Sequence, residues 1–347
     1  MADHPKLTGR GAAHNPPNRF ESLWVEPDEG PPSPVDTQFF KDASRSVLSR
    51  NDSPDVGFSV SVNPYRGCEH GCVYCYARPS HEYFGLSLGL DFETKIFVKE
   101  DAPALLRSAL SKPGWPPQTV ALSGVTDPYQ PVERRLGLTR KCLEVLAEFR
   151  NPVMIITKNA LVMRDADLLA ELASYGAACV CVSITTLDQN LVRVMEPRTV
   201  TPEKRLETLA ALREANIPAG VLIGPVIPGL TDHESPRILE AAGKAGASFA
   251  SYVMLRLPHG LKALFEQWLE THFPQRKDRV LSHIRAVRNG QLNEATFGTR
   301  MRGVGPAADQ IATLFQLVRR RAGIPEERPG LSVAAFRNPE MKQLPLF

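Results

Sequence analysis

Apolar and polar positions change period along this chain, and the changes mark its elements. Residues 1–55 show no sustained period, and Pro16-Pro17 and Pro31-Pro32 oppose regular helix there. This stretch reads as an irregular extension, flexible or draped, with order beginning near Gly57. From there, short runs rich in Val, Ile or Ala recur at 58–63, 119–123, 153–157, 179–184, 220–224 and 251–255. Each has the length and composition of a strand. Helical spacing fills the gaps. Cys142, Val145, Leu146 and Phe149 share one face, and Leu168, Leu169, Leu172 and Tyr175 share another. A third helix starts with Thr201 as cap and Pro202 in the first turn, with Leu206, Leu209 and Leu212 on one side.

Strands that alternate with helices predict a parallel sheet with helices outside it. Six such units predict an α/β fold, a partial (β/α)6 barrel of TIM type over residues 56–260. Full closure would need eight. After about Gly260 the pattern turns helical. Segments 261–273, 276–288 and 307–321 are amphipathic and form a helical C-terminal cap over 261–325. Residues 326–347 read as an irregular tail, and no solenoid-type repeat appears.

Composition adds limits. The 347 residues are 43% hydrophobic and 23% charged, an ordinary globular profile. No apolar run is long enough to span a bilayer, and Met1 to Arg10 lacks an apolar signal core. We therefore expect a cytoplasmic monomer whose thiols stay reduced. Six cysteines then point to metal or redox chemistry before disulfides. From Phe273 onward there are 13 Lys and Arg against 6 Asp and Glu, while residues 1–272 carry 28 against 32. This basic C-terminal part is either a phosphate-contacting face or a solvated helical surface.

The chemistry centres on Cys68-Glu-His-Gly-Cys72-Val-Tyr-Cys75, which follows the first strand. Gly67 and Gly71 let the backbone turn sharply around a compact metal centre. Thiolates are the usual ligands of iron–sulfur clusters, which normally take four. Three close thiols with no evident fourth imply a four-iron, four-sulfur cluster with one open iron. The competing reading is a zinc knuckle with His70 as fourth ligand.

The loop Cys68…Cys72…Tyr74-Cys75 resembles that of the radical S-adenosylmethionine (SAM) superfamily. The wider pattern is similar to the branch of spore photoproduct lyase, a DNA repair photolyase-like group. It runs through Asn63-Pro-Tyr-Arg-Gly-Cys68, Thr126-Asp-Pro-Tyr-Gln-Pro131, Ile156-Thr-Lys158 and Pro225-Val-Ile-Pro-Gly229. The resemblance implies an enzyme whose reduced cluster cleaves SAM to a 5′-deoxyadenosyl radical. That radical abstracts hydrogen from an unknown substrate, and a nucleic acid is one candidate. It also implies an electron donor such as flavodoxin or ferredoxin. The alternative is a nucleic-acid-binding protein whose cluster is structural or redox-sensing.

Candidate cofactor residues follow strand ends. Tyr74 and Tyr76 flank Cys75 and can pack on adenine. Ser123, Thr126 and Asp127 follow the second strand, and in the resembling family this loop meets the methionyl amine. Lys158 ends the third strand and matches the family's lysine for the methionyl carboxylate, with Arg198 as a second candidate. Along 179–185, Val180, Val182 and Ile184 alternate with Cys179, Cys181, Ser183 and Thr185. The small, polar set should face the lumen, with Ser183 toward the ribose. Tyr129, Gln130 and Glu133 are expected on the substrate side with Arg256, Arg300 and Arg302. The lyases carry a hydrogen-returning Cys where this chain has Gly124, which leaves Cys181 as the substitute thiol. Cys181, Tyr129 and Glu133 are thus the candidate catalytic residues.

Overall fold

The computed structural model describes residues 8–21 and 36–340. The expectations for residues 1–7, for 22–35 with Pro31-Pro32, and for 341–347 lie outside the described residues.

Ten strands form two sheets. They are β1 (Gln38–Lys41), β2 (Leu48–Arg50), β3 (Val60–Val62), β4 (Tyr65–Arg66), β5 (Lys95–Val98), β6 (Val120–Leu122), β7 (Val153–Thr157), β8 (Ala178–Ser183), β9 (Ala219–Val226) and β10 (Ala250–Met254). The larger sheet has the order β10-β9-β8-β7-β6-β3-β2. Its six strands from β3 to β10 are parallel neighbours in chain order, and they coincide with the six apolar runs. Among the described residues β10 does not pair with β3, so the barrel stays open.

Order begins earlier than the pattern suggested. β2 pairs antiparallel with β3, and β1 pairs parallel with β5 beside β4. Both β1 and β2 fall in the stretch read as irregular. Each is three or four residues long and largely exposed, too short to show a period. Pairing with a partner strand creates them, not their own sequence.

The helices Leu138–Phe149, Ala166–Ser174 and Pro202–Glu214 match the helical spacings. The Thr201 hydroxyl caps the last by accepting from Lys204 N at 3.3 Å. Their apolar faces pack on one side of the sheet with Val180, Val182 and Ile184. The other side is the lumen. Its lower half is filled by Ala121, Met154, Cys179, Cys181 and Phe249, with Leu331 from the tail against them.

The segment after Gly260 is two structures, not one cap. Helices Leu261–His272 and Lys277–Ala286 form a core of their own with the cysteine loop, through Leu261, Phe265 and Ile284 against Val73 and Leu88. Helix Pro306–Arg321 instead lies in the outer layer beside Ser235–Lys244, where the Phe315 ring packs tilted on Tyr252 with centres 4.8 Å apart. Backbone between them reaches the free edge of β10, since Met254 N donates to Met301 O at 2.8 Å. Residues 326–340 have no regular structure but are tied down, with Ser332 N on Gly176 O at 2.8 Å and Arg337 N on Phe149 O at 2.9 Å.

Candidate active site

Cys68 and Cys72 are buried and Cys75 is half-buried, in a loop coiled by Gly71 N to Cys68 O and Cys75 N to Cys72 O, both 3.2 Å. Gly71 has φ +67°, and a Cβ there would lie 2.6 Å from the Glu93 carboxylate. Gly67 has φ +77°, and a Cβ would lie 2.9 Å from both His81 and Phe92 O. Only glycine suits either position.

A buried ion pair supports the loop. Arg78 pairs with Glu93, and it donates to Cys72 O at 2.8 Å, Gly71 O at 2.9 Å and Gly89 O at 2.9 Å. The Glu93 carboxylate also accepts from Gly11 N at 3.0 Å and Ala12 N at 2.8 Å. Residues 8–21 are therefore a strap docked on the loop. Leaving either charge alone in this interior would cost several kcal/mol, so the pair fixes position. On the opposite flank, Glu69 N donates to Gln130 Oε1 at 2.9 Å and Val73 N to Met195 O at 3.1 Å.

The three thiols share this environment. Burial pushes the Cys68 thiol well up, and Asp127 and Cys72 add to it. Burial, with Glu196, pushes Cys72 up to about 12, against the opposing pull of Lys158. Burial also raises Cys75. A cationic iron–sulfur core would supply the charge that makes them thiolates. His70 is not available as a zinc ligand. Its Nδ1 lies 3.4 Å from Asp127 Oδ2 and its Nε2 lies 3.4 Å from Asn159 Nδ2. Among the described residues, no three His, Cys, Asp or Glu side chains converge on a single-ion site.

Asp127 is a bracket for the site. Its carboxylate accepts from Lys158 N at 2.7 Å, Thr157 Oγ1 at 2.7 Å and Tyr129 N at 2.9 Å. Burial would raise this carboxyl, but His70 and these donors hold it below its usual range. Thr126 is likewise used, its N and hydroxyl on Asn63 Oδ1 at 3.2 Å and Tyr65 O at 3.3 Å. Ser123 Oγ donates to Thr126 O at 3.4 Å.

Toward the lumen, Lys158 Nζ donates to Ser183 Oγ at 3.0 Å and lies 5.8 Å from the Tyr74 ring centre. Ser183 is the lumen residue next above Cys181, as the alternation required. The Tyr74 hydroxyl donates to Glu196, which is fully buried against Arg205. Burial would raise Glu196, but Arg205 and Lys158 bring it down to about 2. Tyr74 is thus a buried strut. Tyr76, half exposed, has the free ring face, and its hydroxyl donates to Gly124 O.

Several expected roles move. Tyr129 is fully buried in the outer core and donates to Asp165 Oδ2 at 3.0 Å. Glu133 is also fully buried, accepting from Tyr65 Oη, Thr139 N at 3.0 Å and Arg164 Nη2 at 2.7 Å. The loop after β6 folds outward and packs both behind the sheet, so neither meets Cys181 or the substrate side. Cys181 sits among apolar neighbours in the lower lumen, and burial pushes its thiol up to about 12. Arg198 Nη1 pairs with Glu69 at 3.3 Å on the outer flank of the cysteine loop. Arg78, Glu93 and Arg205 escaped the sequence reading. Arg205 had a signal, because it shares the inward face with Leu209 and Leu212. Glu93 sits in one short turn and had none.

Residues 62–242 match the family model of the Radical SAM superfamily. The chain belongs to the radical SAM superfamily. Its members use SAM and an iron–sulfur cluster. It is 39% identical over 220 residues to an uncharacterised protein of Mycobacterium tuberculosis strain H37Rv, covering 63% of this chain and 65% of that one. An uncharacterised protein of Methanocaldococcus jannaschii is 30% identical over 225 residues, 65% of this chain and 80% of that one. A radical SAM Nα-GlyT isomerase of Pseudomonas phage M6 is 22% identical over 203 residues, 58% of this chain and 40% of that one. In fold, the chain resembles a mutant spore photoproduct lyase, with TM-score 0.59, 14% identity, and 87% and 86% of the two chains covered. Among the described residues no helix is long and apolar enough to cross a membrane.

Proposed function

We propose that Cys68, Cys72 and Cys75 hold a four-iron, four-sulfur cluster with one iron left for SAM. The single observation behind this is the loop itself: two buried thiols and one half-buried, no available fourth ligand in His70, and a strap and ion pair that fix the backbone. When bound, the cluster supplies the electron that opens the SAM sulfonium and gives a 5′-deoxyadenosyl radical for hydrogen abstraction. Lys158 and Ser183 point into the lumen beside the loop and would receive the methionyl carboxylate and the ribose. Tyr76 would lie against adenine. Asp127 and Thr126 act by positioning, because their polar atoms already hold Lys158, His70 and Asn63. Cys181, a protonated thiol one lumen step below Ser183, would be a hydrogen-atom donor only to a substrate radical that reaches past Ser183.

The reaction after radical formation is open to any substrate that fits the barrel mouth, a nucleic acid included. A spore photoproduct lyase of similar fold binds a dinucleoside spore photoproduct. Gly124 has no thiol to offer, so lyase chemistry of that kind would have to use another hydrogen donor.

Anaerobic reconstitution tests the reading. We expect a brown protein with about four irons per chain. With dithionite and SAM it should yield 5′-deoxyadenosine. A colourless zinc protein, or a fully loaded protein that leaves SAM intact, would sink the assignment.

A further inference from the structure

The open side of the barrel holds a cation with no ion pair of its own among the described residues. Arg256 follows β10 at the mouth end. Its guanidinium lies 5.5 Å from the centre of the Tyr76 ring, one residue after Cys75. Tyr76 in turn bonds to Gly124 O across the mouth, beside exposed Val125.

Three other arginines crowd this corner, and each has a carboxylate or carbonyl partner, although the Arg288 Nε, like that of Arg256, is buried without one. Arg300 pairs with Asp55, and Asp55 also accepts from Gly298 N at 2.7 Å. Arg302 donates to Tyr252 O at 3.0 Å and stacks on that ring at 4.4 Å. Arg288 donates to Arg300 O at 2.8 Å and to Met254 O at 3.2 Å. Among the described residues Arg256 has no hydrogen bond or ion pair to a carboxylate or carbonyl; Asp55, which pairs with Arg300, attracts it only at longer range. Its Nε is buried without a hydrogen-bond partner, and Nη1 reaches only Met301 Sδ at 3.9 Å. The arginines feel one another: burial and Arg300 lower Arg256 against the smaller pull of Tyr76 and Asp55, while burial and Arg256 push Arg288 down to about 10. A guanidinium kept half-buried, unpaired and among like charges is poised for an oxyanion, because charge-assisted bonds to such a group offset its desolvation. The Tyr76 ring under the guanidinium holds it at the mouth.

We propose that Arg256, held against the ring of Tyr76, anchors a phosphate or carboxylate group of the substrate at the barrel mouth. This rests on the radical SAM reading above. Arg256 stands at the end of the sixth parallel strand, whereas Lys158 ends the third, so the two cations receive different anions.

The test uses reconstituted holoprotein at low ionic strength. Inorganic phosphate and [13C]acetate are titrated separately, followed by 31P and 13C line widths, in wild type, Arg256→Gln and Arg256→Lys. We expect saturable binding in wild type, about tenfold weaker in Arg256→Gln and partly kept in Arg256→Lys. Whichever probe binds more tightly names the anion class. Equal binding in wild type and Arg256→Gln, or none in wild type, overturns the proposal. Equilibrium dialysis with labelled SAM separates the two anion sources. Unchanged SAM affinity in Arg256→Gln supports a substrate anion, and a tenfold loss would hand Arg256 to the cofactor's carboxylate and overturn it. If wild type yields no 5′-deoxyadenosine but binds phosphate through Arg256, the cofactor reading fails and the anion site stands.

Discussion

The two rims of the barrel mouth treat buried charge in opposite ways. At the cysteine loop, Arg78 meets Glu93, Arg205 meets Glu196 and His70 meets Asp127. At the end of β10, Arg256 forms no ion pair among the described residues, because the nearby Asp55 is taken by Arg300. Matched charges in a low-dielectric interior fix geometry, because each would be costly alone. An unmatched one leaves a site whose last partner comes from outside. The loop rim is therefore built to hold still, and the β10 rim is built to receive.

Five changes probe this contrast, from the largest expected effect down. Replacing Cys72 with Ala should bring iron content down and 5′-deoxyadenosine to the no-enzyme background, with secondary structure kept. Iron-loaded, active Cys72→Ala would contradict the loop's role. Glu93→Ala strands Arg78 and undocks the strap, and should destabilise the apoprotein by about 3–5 kcal/mol in urea unfolding. A loss under about 1 kcal/mol would mean that the pair does not position the loop.

The third change concerns pH. His81, packed at Gly67 with Nε2 on Lys95 O at 2.9 Å, is pushed down to about 4 by burial. The unfolded chain binds a proton near pH 6.5, while the folded chain resists until about 4. Stability should thus fall as pH drops through that window, by up to about 3 kcal/mol. The slope should vanish in His81→Leu, measured by unfolding at stepped pH; an unchanged slope would refute the burial account.

Tyr129→Phe removes one buried hydrogen bond, to Asp165. It should cost about 1–2 kcal/mol and leave 5′-deoxyadenosine formation intact. A collapse of turnover without loss of stability would restore Tyr129 to the site. Smallest of all, Arg256→Gln should shift stability by less than about 1 kcal/mol, since no partner is stranded. A loss as large as that of Glu93→Ala would erase the distinction between the rims.

The legible parts of this protein were the local ones. Apolar runs of strand length located all six parallel strands. The Val180–Ile184 alternation assigned the faces of β8 correctly, because side chains in a strand point to opposite sides by geometry alone. The three cysteines and their two glycines were readable because a metal loop needs those residue types at close spacing. The loop after β6 was not readable. Asp127, Tyr129 and Glu133 all looked available for chemistry, yet each is consumed in holding a neighbour. Whether a polar residue is free depends on partners far away in sequence, such as Asp165 or Lys158.

The sequence by itself therefore determined the order of strands and helices, the lumen face of β8 and the cysteine loop, since these follow from period and spacing. Tertiary structure alone decided that residues 8–21 strap the cysteine loop, that β1 and β2 exist, and that the helices after Gly260 divide between the mouth and the outer layer. It also decided which arginine stays unmatched. Burial and pairing are set by the three-dimensional neighbours of a group, and a charge shows its partner, or the lack of one, only once the chain has closed around it.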